Sequence, residues 1–258
     1  MANTNGNVYP ALGINAQNQV FGVDSNNNIH LLSAANFAQV IAISENGTIW
    51  AISTDPVSGG AQISWSIGDG NWNPVNNDPG AVLITGSTAD GAFYYTESET
   101  LWGIQTSYNE GEQIGQIPAV QNLDFGGGYL WMVAPITPDG DACLQFSPLN
   151  GAPFAWKPFA GLPEPSSISV NYSGDCYGVD SFSPMYYSKD GSTTGNNSSG
   201  ANGSALEITF KNTYYVLSTN GNENGNDVLI WEDVNGGTFV SAGFQAIQVL
   251  GTYYLAGS

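Results

Sequence analysis

One unit recurs along this chain and limits what it can fold into. It is an alternating apolar strand, a short Gly/Asn turn, and a second strand with an aromatic residue near its start. Copies begin at Ala11 (ALGINAQNQVFGVD), Val40 (VIAISENGTIWAIS), Val82 (VLITGSTADGAFYYTE) and Leu123 (LDFGGGYLWMVA). Three more begin at Ile168 (ISVNYSGDCYGVD), Leu206 (LEITFKNTYYVLS) and Ile247 (IQVLGTYYLAGS). The turns supply Gly or Asn where a tight hairpin needs positive φ. The flanking segments are rich in Ile, Val, Tyr and Trp, which suit a pleated, half-buried surface. No stretch sustains an apolar period of 3.6, so the sequence predicts almost no helix.

Most hairpins are followed by further strands: AQISWSI and NWNPV after Ser53, ACLQFSP and PFAWKPF after Ala134, DVLIWED and GTFVSA after Ser218. A meander of up to four strands, repeated roughly every 40 residues, is the pattern of a β-propeller. The expectation is a single all-β domain over residues 1–258, an antiparallel propeller of three- to four-stranded blades. Seven hairpins give seven blades, or six if two hairpins share one blade. Pairing of the N- and C-terminal strands would close the ring and remove the open edge. The segment NGNVYP ahead of Ala11 is placed as the missing outer strand of the last unit. The low-complexity stretch KDGSTTGNNSSGANGSA, Lys189 to Ala205, reads as a flexible loop replacing the fourth strand of the fifth unit.

Charge narrows the partners. The chain has three basic residues, Lys157, Lys189 and Lys211, against 22 acidic ones, a net charge of -19. Nucleic-acid binding needs Lys and Arg to neutralise phosphates, so it is excluded as an expectation, as is docking on anionic lipid. No apolar run reaches membrane-span length, and the start MANTNGNVYP lacks the basic and apolar regions of a signal peptide. Cys143 and Cys176 are too few for a disulfide scaffold and fit a reducing compartment. The expected location is the cytoplasm, or release without a signal peptide, with no membrane insertion.

Three stretches resemble tectonin repeats: VFGVDSNNNIH, GTIWAIS and FAWKPFAGLPEPSSISVNYSGDCYGVD. Trp156, Gly161, Ile168 to Val170, Gly174 and Tyr177-Gly178-Val179-Asp180 follow the order of that repeat. The resemblance implies a six- or seven-bladed propeller that binds glycans without catalysis. Several units lack the Trp and the Gly-Val pair, so blade number and sugar preference do not carry over.

The residues point the same way. His30 is the only histidine, which rules out multi-histidine zinc sites and leaves any catalytic triad dependent on it. A glycosidase would need two carboxyls facing each other across a cleft, and Glu97, Glu99, Glu110, Glu112, Asp124 and Asp180 are the candidates. The run NGNENGND places oxygens of Asn220, Asn222, Asn224 and Asp227 at spacings that suit a weak calcium loop. Otherwise no cofactor is expected. Saccharides stack their C–H faces on Trp and Tyr and bond Asn, Asp and Gln through hydroxyls. Aromatics in the recurring second strand (Phe21, Trp50, Trp131, Tyr177, Tyr215) are assigned to the core. The candidate carbohydrate contacts are Trp65, Trp72, Asn73, Trp102, Trp156, Trp231 and Glu232. The leading expectation is a multivalent, non-enzymatic lectin for neutral glycans. A protein-interaction scaffold is the alternative, and a glycoside hydrolase the third.

Overall fold

The computed structural model describes residues 9–76, 79–107, 110–135, 141–149, 156–158, 165–180, 183–187, 193–194, 205–210, 214–232 and 238–252. They form six four-stranded antiparallel sheets, and no helix occurs among them. Blade 2 comprises β4 (Ala38–Ile43), β5 (Ile49–Val57), β6 (Gly60–Ser66) and β7 (Asn73–Pro74). Blade 3 comprises β8 (Leu83–Gly86), β9 (Gly91–Tyr95), β10 (Thr100–Gln105) and β11 (Glu112–Gln116). Blade 4 comprises β12 (Asn122–Gly126), β13 (Tyr129–Pro135), β14 (Ala142–Pro148) and β15 (Lys157–Pro158). Blade 5 comprises β16 (Ser167–Val170), β17 (Cys176–Asp180), β18 (Ser183–Tyr187) and β19 (Thr193–Thr194). Blade 6 comprises β20 (Ala205–Phe210), β21 (Tyr214–Asn222), β22 (Gly225–Glu232) and β23 (Thr238–Ala246). Blade 1 is built from both ends of the chain: β24 (Gln248–Gly251), then β1 (Ala11–Ile14), β2 (Val20–Val23) and β3 (Ile29–Leu31). The leading strands touch in sequence, β4 to β8 to β12 to β16 to β20 to β24 and back to β4, so the sheets close into a propeller.

Six sheets correct the expected seven, and the reason is visible at the closure. The first and seventh hairpins share one blade. β24 pairs with β1 from Ala11↔Gly251 to Ile14↔Gln248. The hairpin at Ala11 therefore supplies the second and third strands of its blade. The seam is reinforced where Thr252 Oγ1 donates to the Tyr9 carbonyl at 2.6 Å. β1 is the described N-terminal partner of β24; residues 5–8 of NGNVYP lie outside the described residues. A second correction falls in Lys189 to Ala205. The fourth strand of blade 5 is not replaced, because Thr193 and Thr194 pair with Tyr187 and Tyr186 as β19. Two adjacent β-branched residues give that short strand its local preference. The rest of the stretch before Ala205 lies outside the described residues.

Apolar side chains fill the seams between blades. Alternation along a strand sends neighbours to opposite seams. Ile49 and Ala51 join the cluster shared with blade 1, while Trp50 and Ile52 join the one shared with blade 3. In β13, Leu130, Met132 and Ala134 face blade 3, and Trp131 and Val133 face blade 5. Trp50 and Trp131 are both 0% exposed. Burial of each contributes about 4–6 kcal/mol at ~25 cal/mol per Å². Each indole N–H is satisfied, by Ser44 Oγ at 2.9 Å and by the Gly174 carbonyl at 3.0 Å.

Turn chemistry accounts for much of the asparagine content. Asn15 Oδ1 accepts the N–H groups of Gln17 and Gln19, and Asn171 Oδ1 those of Ser173 and Asp175. Asp24 Oδ1 does the same for Asn26 and Asn28. The fourth residue of each turn, Asn18, Asn27 or Gly174, has positive φ, which Asn and Gly tolerate best.

Candidate functional site

An open cleft of about 920 Å³ lies on blade 3. The β8–β9 connection lies at the same end of the antiparallel sheet as Gln105 at the end of β10 and Glu110 to Glu112 at the start of β11, and these form its rim. Ser87, Thr88, Gln105, Glu110 and Glu112 supply hydroxyl, amide and carboxylate groups. Phe93, Ile114 and Gly103 lie below them. Gly103 pairs with Phe93 on one side and Glu112 on the other. A Cβ at Gly103 would stand 3.2 Å from Ile114 Cδ1, so the missing side chain keeps an apolar surface uncovered. No basic side chain is among the described residues lining the cleft. Phe93 also belongs to the seam toward blade 4, with Ile114 and Trp156 packed on the same cluster.

Of the predicted carbohydrate contacts, the tryptophans with described side chains are dispersed among three seams, and the side chains of Trp231 and Glu232 lie outside the described residues. Trp65 and Trp102 are half-buried against the cluster between blades 2 and 3. Trp102 stacks on Tyr94 with ring centroids 6.2 Å apart, and its buried Nε1 has no hydrogen-bond partner. Trp72 lies on the opposite side of blade 2, its ring 4.7 Å from Phe37 and its N–H donating to the Leu32 carbonyl at 2.7 Å. Asn73 is exposed beside it. Trp156 is half-buried, and among the described side chains of the set only it shares a cluster with the cleft floor. Trp231 and Glu232 are on β22, paired with Phe239 and Thr238. Sequence reasoning did not single out Phe93, Gly103 or Ile114. A glycine between Trp102 and Ile104 in an otherwise apolar third strand was the available signal.

The calcium candidates occupy a hairpin rather than a loop wrapped round an ion. Asn220 and Asn222 are on β21 and Asp227 is on β22, with Glu223 and Asn224 at the turn. Asn222 Oδ1 accepts the Asn224 N–H at 2.7 Å, and Asp227 Oδ1 accepts from Gln245 Nε2 at 2.8 Å. No group of three His, Cys, Asp or Glu side chains suited to a metal occurs among the described residues. His30 is on the exposed outer strand of blade 1, with Nε2 2.9 Å from Asp24 Oδ2. That hydrogen bond, helped by Asn28, holds the Asp24 carboxyl well below the usual carboxylate range.

The acidic candidates separate. Glu97 and Glu99 are at the β9–β10 turn, the end of blade 3 away from the cleft. Glu110 and Glu112 come from one short segment on a single side of the cleft. Asp124 is on the innermost strand of blade 4, where Oδ1 accepts from Thr85 Oγ1 at 2.7 Å and Oδ2 from the Val170 N–H at 2.6 Å. The side chain of Asp180 lies outside the described residues.

No protein-family model matches the chain, and no curated protein matches it. Solved structures do resemble it. A chain of the nidogen/laminin complex superposes with a TM-score of 0.60 at 9% identity, covering 93% of this chain and 96% of that one. A gluconolactonase from Xanthomonas campestris gives a TM-score of 0.57 at 12% identity, covering 83% of this chain and 84% of the other. TolB from Acinetobacter baumannii gives 0.53 at 10% identity over 68% of this chain and 47% of that one. At such identities the likeness is one of fold, and the class is the β-propeller.

Proposed function

We propose that this chain is a non-catalytic carbohydrate-binding propeller that recognises a neutral glycan in the blade 3 cleft. The observation that carries the reading is the cleft's make-up. An apolar surface bared by Gly103 lies beneath hydroxyl, amide and carboxylate groups, with no basic side chain among the described lining residues. Sugar C–H faces need the first, and sugar hydroxyls the second. Anionic ligands find no partner there. The tectonin-like order of the repeat carries the same expectation. The cleft residues are particular to blade 3, so this reading assigns one site there, not one per blade. Glycoside hydrolysis is disfavoured because Glu110 and Glu112 share one side of the cleft, whereas that chemistry needs carboxyls on both sides of the scissile bond.

The test is a neutral-glycan array, with and without calcium, followed by titration of the best ligand. Gly103→Phe fills the cleft from a strand position and should abolish binding. Gln105→Ala should weaken it about fivefold, the loss of one hydrogen bond. An array without a binder, or a ligand indifferent to Gly103→Phe, overturns the reading.

A further inference from the structure

A second cavity, of about 300 Å³, lies on the propeller axis and is lined by residues of all six innermost strands. Each of those strands has a backbone edge that no strand of its own blade covers, and unpaired edge groups demand partners. Side chains supply many of them. Gln248 bonds both the N–H and the carbonyl of Ile41. Thr85 Oγ1 accepts the Phe125 N–H, Asp124 accepts the Val170 N–H, and Thr209 Oγ1 accepts the Gly251 N–H.

Ser167 is the exception. It lines the cavity and is 9% exposed, yet its hydroxyl makes no hydrogen bond with the described residues. Among the described residues the sealed side-chain polar atom without a partner is Trp102 Nε1, not the Ser167 oxygen. The Ser167 oxygen is therefore still open to the cavity. Around it stand the hydroxyls of Ser169 and Thr209, the amides of Asn122 and Gln248, and the Asp124 carboxylate. No Lys, Arg or His is among the described lining residues.

We infer that the axial cavity is a binding site for one small neutral polyol, anchored by Ser167. The volume is at the lower end for ligand pockets and suits a molecule of tetritol to cyclitol size. Hydroxyls, amides and one carboxylate share the wall with Val, Ile and Leu side chains, which suits a polyol: its hydroxyls bond the first and its C–H groups pack on the second. An anion would meet Asp124 with no cation among the described lining residues. A hydroxyl-bearing ligand can donate to Asp124 and accept from Ser167 and Asn122. The inference stands apart from the cleft, since the two sites share no lining residue.

The experiment follows backbone amide resonances while erythritol, myo-inositol, propylammonium chloride and sodium propionate are added separately. A polyol should shift Val170 and Gly251 saturably, leaving the cleft amides of Gly103 and Gly111 in place. Ser167→Ala should weaken that polyol about fivefold, and Ser167→Leu, which fills the cavity, should abolish the shifts. Ser167→Ala keeps the backbone pairing of β16, so it reports even if the larger substitution fails to fold. Three results overturn the inference: no saturable shift up to 100 mM, on the order of very weak binding; tighter binding of either charged probe; or unchanged affinity in Ser167→Ala. Glycan binding lost in the cleft with axial shifts retained would refute the proposed function alone.

Discussion

Thr85→Val tests whether side chains hold the innermost strands together. Thr85 is 2% exposed and joins two blades. Its hydroxyl donates to Asp124 Oδ1 at 2.7 Å and accepts the Phe125 N–H at 3.1 Å. Valine keeps the shape and deletes both bonds. Losing a hydrogen bond to a carboxylate costs about 1.5–3 kcal/mol, and depriving a buried N–H of its acceptor costs about 1–3. Allowing for partial relaxation, the sum is about 2–4 kcal/mol. In a chain of this length that lowers Tm by roughly 5–12 °C. Thr85→Ser is the control: it keeps the hydroxyl and loses one methyl, about 0.8 kcal/mol. Scanning calorimetry measures both variants, and urea denaturation checks them at 25 °C. Thr85→Val should be clearly the less stable. Asp124→Asn should be sub-additive with it, because the two side chains share one bond. Equal Tm for the valine and serine variants, or full additivity of the double variant, would refute the reasoning.

Backbone proximity sets the second prediction. A Cβ at Gly86 would stand 1.8 Å from the Ile43 carbonyl oxygen, so Gly86→Ala should force blades 2 and 3 apart and cost more than about 3 kcal/mol. Gly47→Ala, in open space at φ +90, should cost only about 1–2 kcal/mol of backbone strain; urea midpoints separate the two. For pH, the His30 hydrogen bond lowers the Asp24 carboxyl from its ordinary 3.8. A depressed native pKa stabilises the fold above the unfolded value and loses that contribution as pH falls through the native one. The stability gap between wild type and Asp24→Asn should therefore be present at pH 6 and shrink below pH 3.8, a small effect at so exposed a site. Removing residues 248–258 deletes β24 and uncovers the cluster of Phe21, Tyr215 and Val228. The truncated chain should bind a hydrophobic dye and lose cooperative unfolding; an unchanged melting transition would count against closure by β24.

The repeat was readable because each hairpin carries its own turn signal and its own β-branched or aromatic run. What misled the blade count is that the unit seen in sequence is a hairpin, while the unit of structure is a sheet. The hairpin at Ala11 looks like the others, but at the closure its register within the blade is shifted by one strand. Only the pairing of Ala11 with Gly251 reveals this. Alternation was a weaker guide than expected in the middle strands. Leu130 to Ala134 is buried at every position, because a propeller blade is covered on both faces.

The sites were less legible, for a reason the hydrogen bonds make plain. The bonds that tie one innermost strand to the next span 39 residues from Thr85 to Asp124, 46 from Asp124 to Val170 and 42 from Thr209 to Gly251. Those intervals are about one repeat long. Each partner is meaningful only beside the equivalent position of the neighbouring blade, so no local motif marks it. Gly103 is similar: its effect depends on Phe93 and Glu112, aligned with it by strand pairing. Tryptophans drew attention in the sequence because they are rare and large. Those same properties bury them in seams, where Trp50, Trp65, Trp72, Trp102 and Trp156 all make packing contacts. In a closed ring of sheets, large aromatics serve first to fill the wedge between blades. Open space is then left by small residues, Gly103 at the cleft and Ser167 on the axis.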